Sequence, residues 1–251
     1  MMSSRELAVV VGATGACCER IVDRLLEAGL AVVAVARSAA TVEALADLRS
    51  GVIPCVADIS DDSSIEQIQS VLDRPVRMIV HGPGVAVVGG VLDAPISALV
   101  DAVNIKAGGL LRLTRAVNKH LVEGSRLVAI GGHYGLEPTA YAAAPGVANA
   151  ALVNLVRQLS LAYGPRGITA HLIAPGPADT ERLRRVAEAR AVQRGISVDE
   201  VLAQMCEESS IGAFTTPGQV AWAVAMLLAP EANAMTGSTL MLDSGRRRGL
   251  P

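Results

Sequence analysis

The sequence predicts an α/β fold: a doubly wound parallel sheet of about seven strands with helices on both faces, in a single domain over residues 1–251. Short apolar runs alternate with amphipathic stretches along the whole chain. This is the pattern of strand–helix–strand units that are joined by right-handed crossovers. The apolar runs are continuous and rich in β-branched residues, as in strands that are covered on both faces. The length fits one domain of this kind.

Each apolar run is short and is followed by a turn or by the start of a helical pattern, so each is predicted as a strand. The predicted strands span residues 7–11, 30–35, 52–56, 77–80, 126–130, 168–173 and 239–242. The amphipathic stretches predict helices over residues 19–28, 39–48, 61 or 62 to 72, 96–120, 145–163, 181–210 and 217–228. Gly29 follows the first helix as its C-cap, and Asp61 or Asp62 caps the third.

Composition excludes several functional classes. Hydrophobic residues make up 51% of the chain, charged residues 18%, and the net charge is −2, so no basic excess indicates a nucleic-acid partner. No apolar run reaches the roughly 18 residues of a membrane span, and the polar start of the chain is not a signal peptide. The basic cluster at residues 246–248 is interpreted as a solvated terminus. We therefore expect a soluble cytoplasmic protein.

The spacing of the four cysteines indicates neither a disulfide framework nor a metal site. Cys17 and Cys18 are adjacent, Cys55 and Cys206 are isolated, and the chain has no CxxC pair and no Cys/His cluster. We expect reduced, buried thiols that pack as small hydrophobic groups.

A glycine-rich turn with Gly12, Thr14 and Gly15 joins the first strand to the first helix. Such a turn lets the backbone approach a pyrophosphate, and the helix N-terminus adds free N–H groups and a positive dipole. Here the chain resembles the short-chain dehydrogenase/reductase family, whose three glycines (G-x-x-x-G-x-G) fall on Gly12, Ala16 and Cys18. Only the first is kept, although Gly15 can offset part of the loss. The resemblance implies a Rossmann-like fold with a cofactor site at Gly12, Thr14 and Gly15.

Further positions match the family's cofactor site. Arg37 follows the second strand and can pair with the 2′-phosphate of NADP, whereas Ala36 cannot hydrogen-bond the ribose of NAD. Asp58 matches the aspartate that faces adenine in the family. After the fourth strand, only Gly84 matches the family's Asn-Asn-Ala-Gly turn, and His81 stands at the start of that turn. The resemblance implies NADP as the preferred cofactor, with NAD as the alternative.

The segment after the sixth strand matches the family's PGxxxT pattern through Pro175, Gly176 and Thr180. In the family, this loop and its threonine hold the nicotinamide amide, so the resemblance assigns these three residues to the cofactor site. Further matches at residues 164–168 and 236–245 extend the resemblance over nearly the whole chain.

The catalytic groups of the family are only partly present. In the family, a serine, a tyrosine, a lysine and an asparagine handle the carbonyl group and its proton. Counting back from residues 164–167 places Gly132, Pro145 and Asn149 in the serine, tyrosine and lysine positions, without a gap. Asn104 matches the asparagine, although this residue can also serve to kink its helix.

A second register stays open. It places Tyr141 in the tyrosine position after a four-residue slip, and Pro145 then stands in the lysine position. In both registers the lysine is missing. Asn149 can hydrogen-bond a ribose, but it carries no charge that would lower the pKa of a tyrosine.

Other side chains could replace the missing acid. His133 is expected at the mouth of the cleft, where a histidine can give or take a proton near neutral pH. Tyr134 and Tyr141 lie on the same predicted loop, whereas Lys106 is expected to be solvated. The predicted catalytic residues are Asn104, His133, Tyr141 and Asn149.

Residues 181–215 are predicted to form a lid over the substrate. They carry apolar side chains at near-helical spacing: Leu183, Val186, Ile196, Val201, Leu202 and Met205. Two interpretations stay open. Either these side chains line a pocket for a small hydrophobic substrate, or they pack as the core of the segment itself.

Three functions are compatible with this sequence. The first is an atypical NAD(P)(H)-dependent reductase of a hydrophobic carbonyl or alcohol substrate, with a non-standard proton donor. The second is a non-redox lyase or cyclase on the same scaffold, and the third is an inactive binding or partner subunit. The resemblance also implies a homodimer or homotetramer formed through the long helices over residues 96–120 and 145–163, or a hetero-oligomer with an active homologue.

Overall fold

The computed structural model describes residues 6–249 and contains one seven-stranded sheet. Its strands are β1 (Leu7–Val11), β2 (Ala31–Ala36), β3 (Val52–Val56), β4 (Val76–His81), β5 (Leu121–Ile130), β6 (Thr169–Pro175) and β7 (Thr239–Leu242). They are ordered β3-β2-β1-β4-β5-β6-β7, and every neighbouring pair is parallel. The strand order reverses between β1 and β4, and doubly wound sheets bind ligands at such a switch point. The predicted fold class is confirmed.

Helices lie between the strands, as predicted. They are α1 (Ala16–Glu27), α2 (Ala39–Asp47), α3 (Ser64–Gln69), α4 (Ile96–Val103), α5 (Gly109–Val117), α6 (Ala143–Tyr163), α7 (Glu181–Arg194), α8 (Val198–Glu207) and α9 (Pro217–Met226). Gly29, with φ of +87°, follows α1 in the left-handed conformation that favours glycine. None of the helices within residues 6–249 combines the length and the hydropathy that crossing a membrane requires.

The strands are buried on both faces. In β1, the side chains of Leu7, Val9 and Val11 belong to a core that also contains residues of α3, α5 and α6. Ala8 and Val10 point to the other face and pack with residues of α1, α2 and α9. This two-sided burial explains why the strands appear in the sequence as continuous apolar runs.

The helix predicted over residues 96–120 is interrupted. A π-helical turn over Asn104–Gly108 separates α4 from α5. In this turn, the side-chain amide of Asn104 donates to the carbonyl of Ser60 at 3.0 Å, and the side-chain oxygen of Asn104 accepts from Arg112 at 2.9 Å. A π-helical turn contains one residue more than an α-helical turn, and here hydrogen bonds to residues outside the turn stabilise it. The local sequence pattern does not encode these hydrogen bonds.

Residues 181–210 are mainly helical, as predicted, and form the α7–α8 hairpin. Ser197 begins α8 in a capping box with Glu200. The buried apolar side chains of the hairpin pack on one another: Leu183, Ala187, Ala191, Val201 and Met205. Most of the residues considered as pocket lining therefore form the core of the hairpin itself. That the hairpin acts as a lid stays a prediction.

The C-terminal arginine cluster is not simply a solvated terminus, and this prediction was wrong for two of its three residues. Arg246 pairs with Glu208 at the end of α8. Arg247 pairs with Glu137 at 3.4 Å, while Arg248 is exposed. Both acidic partners are distant in sequence, so the local charge pattern could not reveal them.

The cysteines are free thiols, as predicted. Cys18 and Cys55 are buried, whereas Cys17 and Cys206 are half-buried. Within the described part of the chain, no group of histidine, cysteine and acidic side chains has a geometry that could hold a metal ion.

Candidate active site at the carboxyl edge of the sheet

The glycine-rich turn lies at the switch point between β1 and β4. Gly12 has φ of +74°, a conformation that side chains other than glycine rarely adopt. The N–H of Gly15 donates to the carbonyl of Gly12 at 3.0 Å, and Gly15 is the N-cap of α1 without a side-chain cap. The first amides of α1 therefore point out of the turn and can receive an anion. Ala16 is exposed, so its methyl group does not block the helix end from inside.

A groove of about 420 Å³ lies beyond the ends of β1 and β2. Its lining residues are Thr14, Ala36, Arg37, Ser38 and Thr41. Two of the predicted cofactor residues, Thr14 and Arg37, thus meet in one place. Ser38 and Thr41 were not among the predicted cofactor residues. The sequence feature that indicates them is the serine before α2, because serine is a preferred N-cap residue. Its hydroxyl accepts a hydrogen bond from the N–H of Thr41 at 3.4 Å.

Asp58 lies on the exposed loop after β3. Its carboxylate accepts hydrogen bonds from the N–H of Ser60 at 3.0 Å and from the Ser60 hydroxyl at 2.7 Å. These hydrogen bonds lower the pKa of Asp58. Ser60 in turn accepts from the Asn104 amide. The amide and oxygen of the Asn104 side chain are thus occupied by the structure of this loop and of α5.

The turn after β4 is packed differently from the turn that the resemblance implies. Gly82 has no side chain, and the sulfur of Cys18 occupies the place where one would be. Lys106 is only 3% exposed, and its ammonium donates to the carbonyl of Ile130 at 2.8 Å. The expectation that Lys106 is solvated was therefore wrong. Pro83, in the turn after β4, has no N–H that could donate to the end of the neighbouring strand β5. Lys106 supplies a donor there instead.

His81, the last residue of β4, is fully buried. Its Nε2 lies 3.0 Å from the carbonyl oxygen of Ile105, while its Nδ1 has no hydrogen-bond partner within residues 6–249. Burial, and then the charge of Lys106, lower the pKa of His81 to about 3. His81 is therefore neutral near pH 7 and does not act as an acid there.

Gly132 and Asn149 are brought together at the end of β5. A Cβ atom at Gly132 would lie 3.0 Å from the side-chain nitrogen of Asn149. Pro145 is buried in the first turn of α6, one helical turn before Asn149. The side-chain oxygen of Asn149 is buried and has no hydrogen-bond partner within the described residues, so it is an acceptor available to a ligand.

His133, which was expected at the mouth of the cleft, has a buried side chain. Its side chain is 6% exposed. Burial, and then the charge of Arg246 from the C-terminal tail, lower the pKa of His133 to about 4. The ion pair of the tail with Glu208 was not foreseen from the sequence.

Tyr134 and Tyr141 form a pair. Their hydroxyl oxygens are 2.5 Å apart, and their rings meet edge to face. Burial, and then the hydrogen bond to Tyr141, raise the pKa of Tyr134. The guanidinium of Arg190, from α7, lies 4.7 Å from the centre of the Tyr141 ring. Tyr141 remains exposed as a residue, and its hydroxyl group is paired with that of Tyr134.

The loop after β6 leads directly into α7. Gly176 donates its N–H to the carbonyl of Leu242 at 3.0 Å. This hydrogen bond holds Pro175, the last residue of β6, beside β7. Thr180 is the N-cap of α7, and its hydroxyl donates to the carbonyl of Ala178 at 3.2 Å.

Arg182, in the first turn of α7, was not foreseen as a site residue. It donates a hydrogen bond to the carbonyl of Val85 and covers Gly84. The sequence offered no signal that distinguishes Arg182 from its neighbours Arg184 and Arg185.

Comparison with known proteins agrees with this arrangement. Residues 12–247 match the family model described as enoyl-(acyl carrier protein) reductase. The chain belongs to the short-chain dehydrogenase/reductase family. It is a family of NAD(P)-dependent oxidoreductases, and the curated relatives of this chain include reductases.

Relatives in this family match the chain over nearly its whole length. The short-chain reductase protein NovJ of Streptomyces niveus is 27% identical, over 98% of this chain and 95% of its own length. The 3-oxoacyl-(acyl-carrier-protein) reductase FabG of Pseudomonas aeruginosa is 27% identical, over 96% of both chains. The crystal structure of an actinorhodin polyketide ketoreductase variant with NADPH has a TM-score of 0.88 and 26% identity, covering 98% of this chain and 99% of its own.

The residues present fit the NAD(P) cofactor of the family. The uncapped N-terminus of α1 suits a diphosphate. The groove at Thr14 and Arg37 is open beyond β2, and the Asn149 oxygen lacks the donor that a ribose hydroxyl would supply.

Proposed function

We propose that this protein is an NADP(H)-dependent ketoreductase-like enzyme that acts on a hydrophobic carbonyl or alcohol substrate with a non-standard proton donor. The observation that carries the proposal is the groove beyond β1 and β2, where Arg37 lies beside Thr14, Ser38 and Thr41. A guanidinium, hydroxyl groups and the N-terminus of α2 together favour a 2′-phosphate over a free ribose hydroxyl.

The remaining cofactor residues follow the path of the cleft. Gly12 and Gly15 expose the first amides of α1 to the diphosphate, Asp58 faces the adenine, and Gly84 borders the crevice. Pro175, Gly176 and Thr180 hold the nicotinamide amide, while Asn149 hydrogen-bonds the nicotinamide ribose. When bound, NADPH supplies the hydride, and the protein has to position the carbonyl and deliver a proton.

The proton donor is Tyr141 in this proposal. Its side chain is exposed, and its hydroxyl lies 2.5 Å from the hydroxyl of Tyr134, which can orient the proton or pass it on. The Arg190 guanidinium lies over the Tyr141 ring at 4.7 Å from its centre, and this cation–π contact helps to hold the ring in place. His133 suits the role less well, because it is buried and neutral near pH 7. Asn104 acts by shaping its helix.

The positions of Gly132, Pro145 and Asn149 favour a second candidate function, an inactive nucleotide-binding subunit. In the ungapped register, these residues replace a serine, a tyrosine and a lysine. The pyrrolidine ring of Pro145, the amide of Asn149 and the hydrogen of Gly132 cannot transfer a proton at neutral pH or supply a positive charge. Such a subunit would bind the nucleotide without turnover.

We also propose that the chain forms a homodimer or homotetramer through α4 and α6. Large apolar side chains are exposed in and before α4 and at the start of α6: Val91, Leu92, Ile96, Val100 and Val147. Exposed apolar patches of this kind mark interaction surfaces. Light scattering of the purified protein would show a monomer if the proposal is wrong.

Titration with NADPH and NADH tests the proposed function. Binding of a ligand to the native state raises the melting temperature, by an amount that grows with ligand excess over Kd. We expect a larger shift with NADPH than with NADH, and NADPH oxidation in the presence of hydrophobic ketones. Absence of a shift with both nucleotides would overturn the proposal, whereas binding without turnover of any ketone would favour the inactive subunit.

A further inference from the structure

Residues 243–249, named here the C-terminal strap, leave the end of β7 in a tight turn. The carboxylate of Asp243 accepts hydrogen bonds from the N–H of Gly245 at 3.1 Å and from the N–H of Arg247 at 2.9 Å. Ser244 has φ of +57° and is the only residue other than glycine with a positive φ within residues 6–249. Serine rarely adopts this conformation, and it persists only where surrounding contacts hold it. The C-terminal strap is therefore a fixed turn, not a frayed terminus.

The C-terminal strap binds the end of the α7–α8 hairpin. The guanidinium of Arg246 donates to the carbonyl of Met205 at 2.9 Å and pairs with Glu208. The side chain of Arg246 is only 9% exposed. In addition, the N–H of Ser210 donates to the carbonyl of Ser244 at 3.0 Å. A cation beside the last carbonyls of a helix is stabilised by the helix dipole, so Arg246 suits the C-terminal end of α8.

The far end of the C-terminal strap binds the loop after β5. The N–H of Gly249 donates to the carboxylate of Glu137 at 2.8 Å, and Arg247 lies 3.4 Å from the same carboxylate. The N–H of Glu137 in turn donates to the carbonyl of His133 at 2.9 Å. Glu137 thus belongs to the turn that contains Tyr134, the partner of the proposed proton donor.

The start of the C-terminal strap packs on the loop after β6. A Cβ atom at Gly176 would lie 2.9 Å from the Cα of Asp243, so the two backbones are in direct contact. The loop of Gly176 leads into α7. One short segment therefore contacts the loop after β5, the loop after β6 and the α7–α8 hairpin, which all contribute to the proposed catalytic end.

We propose that Arg246 and Glu208 are positioning residues, through which the C-terminal strap latches the α7–α8 hairpin to the loop after β5. The hairpin then opens for a substrate when this ion pair breaks, as lids that gate substrate entry and release do. Salt screens ion pairs that are not fully buried, and the side chain of Glu208 is 50% exposed. The latch should therefore weaken as the salt concentration rises. Its role in substrate entry rests on the proposed function, whereas the latch itself can be measured without turnover.

Amide hydrogen exchange of the free protein tests the latch. The variants are Arg246→Gln, Glu208→Gln and the charge reversal Arg246→Glu with Glu208→Arg, and the matched control is Arg248→Gln, which removes an exposed arginine of the same segment. We expect each single variant to exchange about 2- to 5-fold faster in α8 and in residues 133–137, with no change in β1. The charge reversal should recover part of this loss, and the control should change exchange by less than about twofold.

Salt provides a second measurement, which requires no variant. About 0.5 M NaCl should accelerate exchange of the same two segments in the wild-type protein, and less so in Arg246→Gln, where the pair is already absent. Arg246→Lys keeps the charge and should lose less than Arg246→Gln. Acceleration by salt that is as large in Arg246→Gln as in the wild-type protein would overturn the proposal.

Kinetics with NADPH and a hydrophobic ketone separates positioning from a general loss of structure. We expect Arg246→Gln to raise KM for the ketone by about 2- to 5-fold, while kcat and the Kd for NADPH change by less than about twofold. The groove at Arg37, at the other end of the cleft, shares no lining residue with the C-terminal strap. A general loss of structure would instead lower kcat and weaken NADPH binding, and that result would contradict a positioning role.

The outcomes distinguish this inference from the proposed function. Faster exchange in both segments, in a protein that reduces no ketone, supports the latch and contradicts the function. Ketone reduction with exchange and KM unchanged in Arg246→Gln overturns the latch and leaves the function standing. Faster exchange in α8 alone also overturns the inference, because it shows that the C-terminal strap does not link the hairpin to the loop after β5.

Discussion

The proposed nucleotide end and the proposed catalytic end of the cleft differ in what their side chains can do. At the nucleotide end, the turn after β1, the uncapped α1 and the groove at Arg37 still offer donors for phosphate groups. At the catalytic end, Gly132 and Asn149 meet beside α6, and Pro145 lies one turn earlier in the helix. No side chain of these three carries a proton that is transferable at neutral pH.

The difference follows from the source of the chemistry. Phosphate binding at a helix N-terminus relies on backbone amides, so Ala16 and Cys18 can replace glycines as long as α1 still begins after Gly15. Proton transfer relies on one side-chain oxygen and its charged neighbour, and no backbone group substitutes for them. A family member can therefore lose its usual acid before it loses its fold or its nucleotide site.

The largest expected effect comes from restoring the catalytic end. The triple variant Gly132→Ser, Pro145→Tyr and Asn149→Lys should raise NADPH-dependent reduction of a simple ketone by about 10²–10⁴-fold, the usual contribution of a general acid. The rate is measured by NADPH absorbance. The matched control carries Pro145→Phe in place of Pro145→Tyr, which keeps the ring and removes the hydroxyl.

An unchanged rate in the triple variant would count against the ungapped register. In that case Pro145→Lys alone is the decisive variant, because the alternative register pairs a lysine at this position with Tyr141. A gain with Pro145→Lys that disappears on adding Tyr141→Phe would establish the four-residue slip.

Removing the charge at the nucleotide end should change cofactor preference. We expect Arg37→Ala to weaken NADPH binding by about 10-fold or more, because a charge-assisted hydrogen bond to the 2′-phosphate is lost. NADH lacks this phosphate, so its affinity should change by less than about twofold. Equal loss for both nucleotides in a fluorescence titration would show that Arg37 does not contact the 2′-phosphate.

The turn after β4 lies between the two ends of the cleft, and a pair of substitutions can first disrupt and then restore its packing. An asparagine at Gly82 overlaps the Cys18 sulfur, so Gly82→Asn should lower the free energy of unfolding by about 1–3 kcal/mol. The double variant Cys18→Gly, Gly82→Asn should recover most of this loss in urea unfolding. Gly164→Asn is the control, because Gly164 has open space around it. Additive losses in the double variant would show that the two positions do not compensate each other.

Much of the fold could be predicted from the sequence, because strands that are buried on both faces appear there as continuous apolar runs. The strands β1, β3 and β7 have their predicted bounds. The π-helical turn at Asn104 could not be predicted, since it depends on contacts with Ser60 and Arg112. The prediction that Lys106 is solvated was wrong for a related reason. A lysine is usually solvated, and only the three-dimensional structure reveals the Ile130 carbonyl that binds it.

The candidate site was predictable where it rests on turns next to strands, and not where distant segments meet. Thr14 and Arg37 lie together because both follow neighbouring strands. The charge of Arg246, in the C-terminal tail, acts on His133, and Arg182 of α7 donates to the carbonyl of Val85 in the turn after β4. Local pattern and spacing carry no information about such contacts.

The smallest expected effect concerns His81, at the boundary between the two ends. Its pKa of about 3 in the folded protein lies below the ordinary value near 6.5 of an unfolded chain. The unfolded chain therefore takes up the proton first as the pH falls, so the stability that neutral His81 contributes is complete above about pH 6.5. It is lost progressively from there toward pH 3, by at most about 1.4 kcal/mol per pH unit.

The His81→Gln variant isolates this contribution, because the side-chain amide of glutamine reaches about as far as Nε2 of histidine, can still donate to the Ile105 carbonyl and does not titrate. The free energy of unfolding, measured in urea at pH 7.5 and pH 5.0, should fall less for the variant than for the wild-type protein. The buried His171, with a pKa lowered to about 4, adds an acid sensitivity that both proteins share and that cancels in the comparison. Parallel losses in the two proteins would mean that water or a local opening reaches His81, and that the boundary between the two ends is less tightly packed than the hydrogen bond to Ile105 indicates.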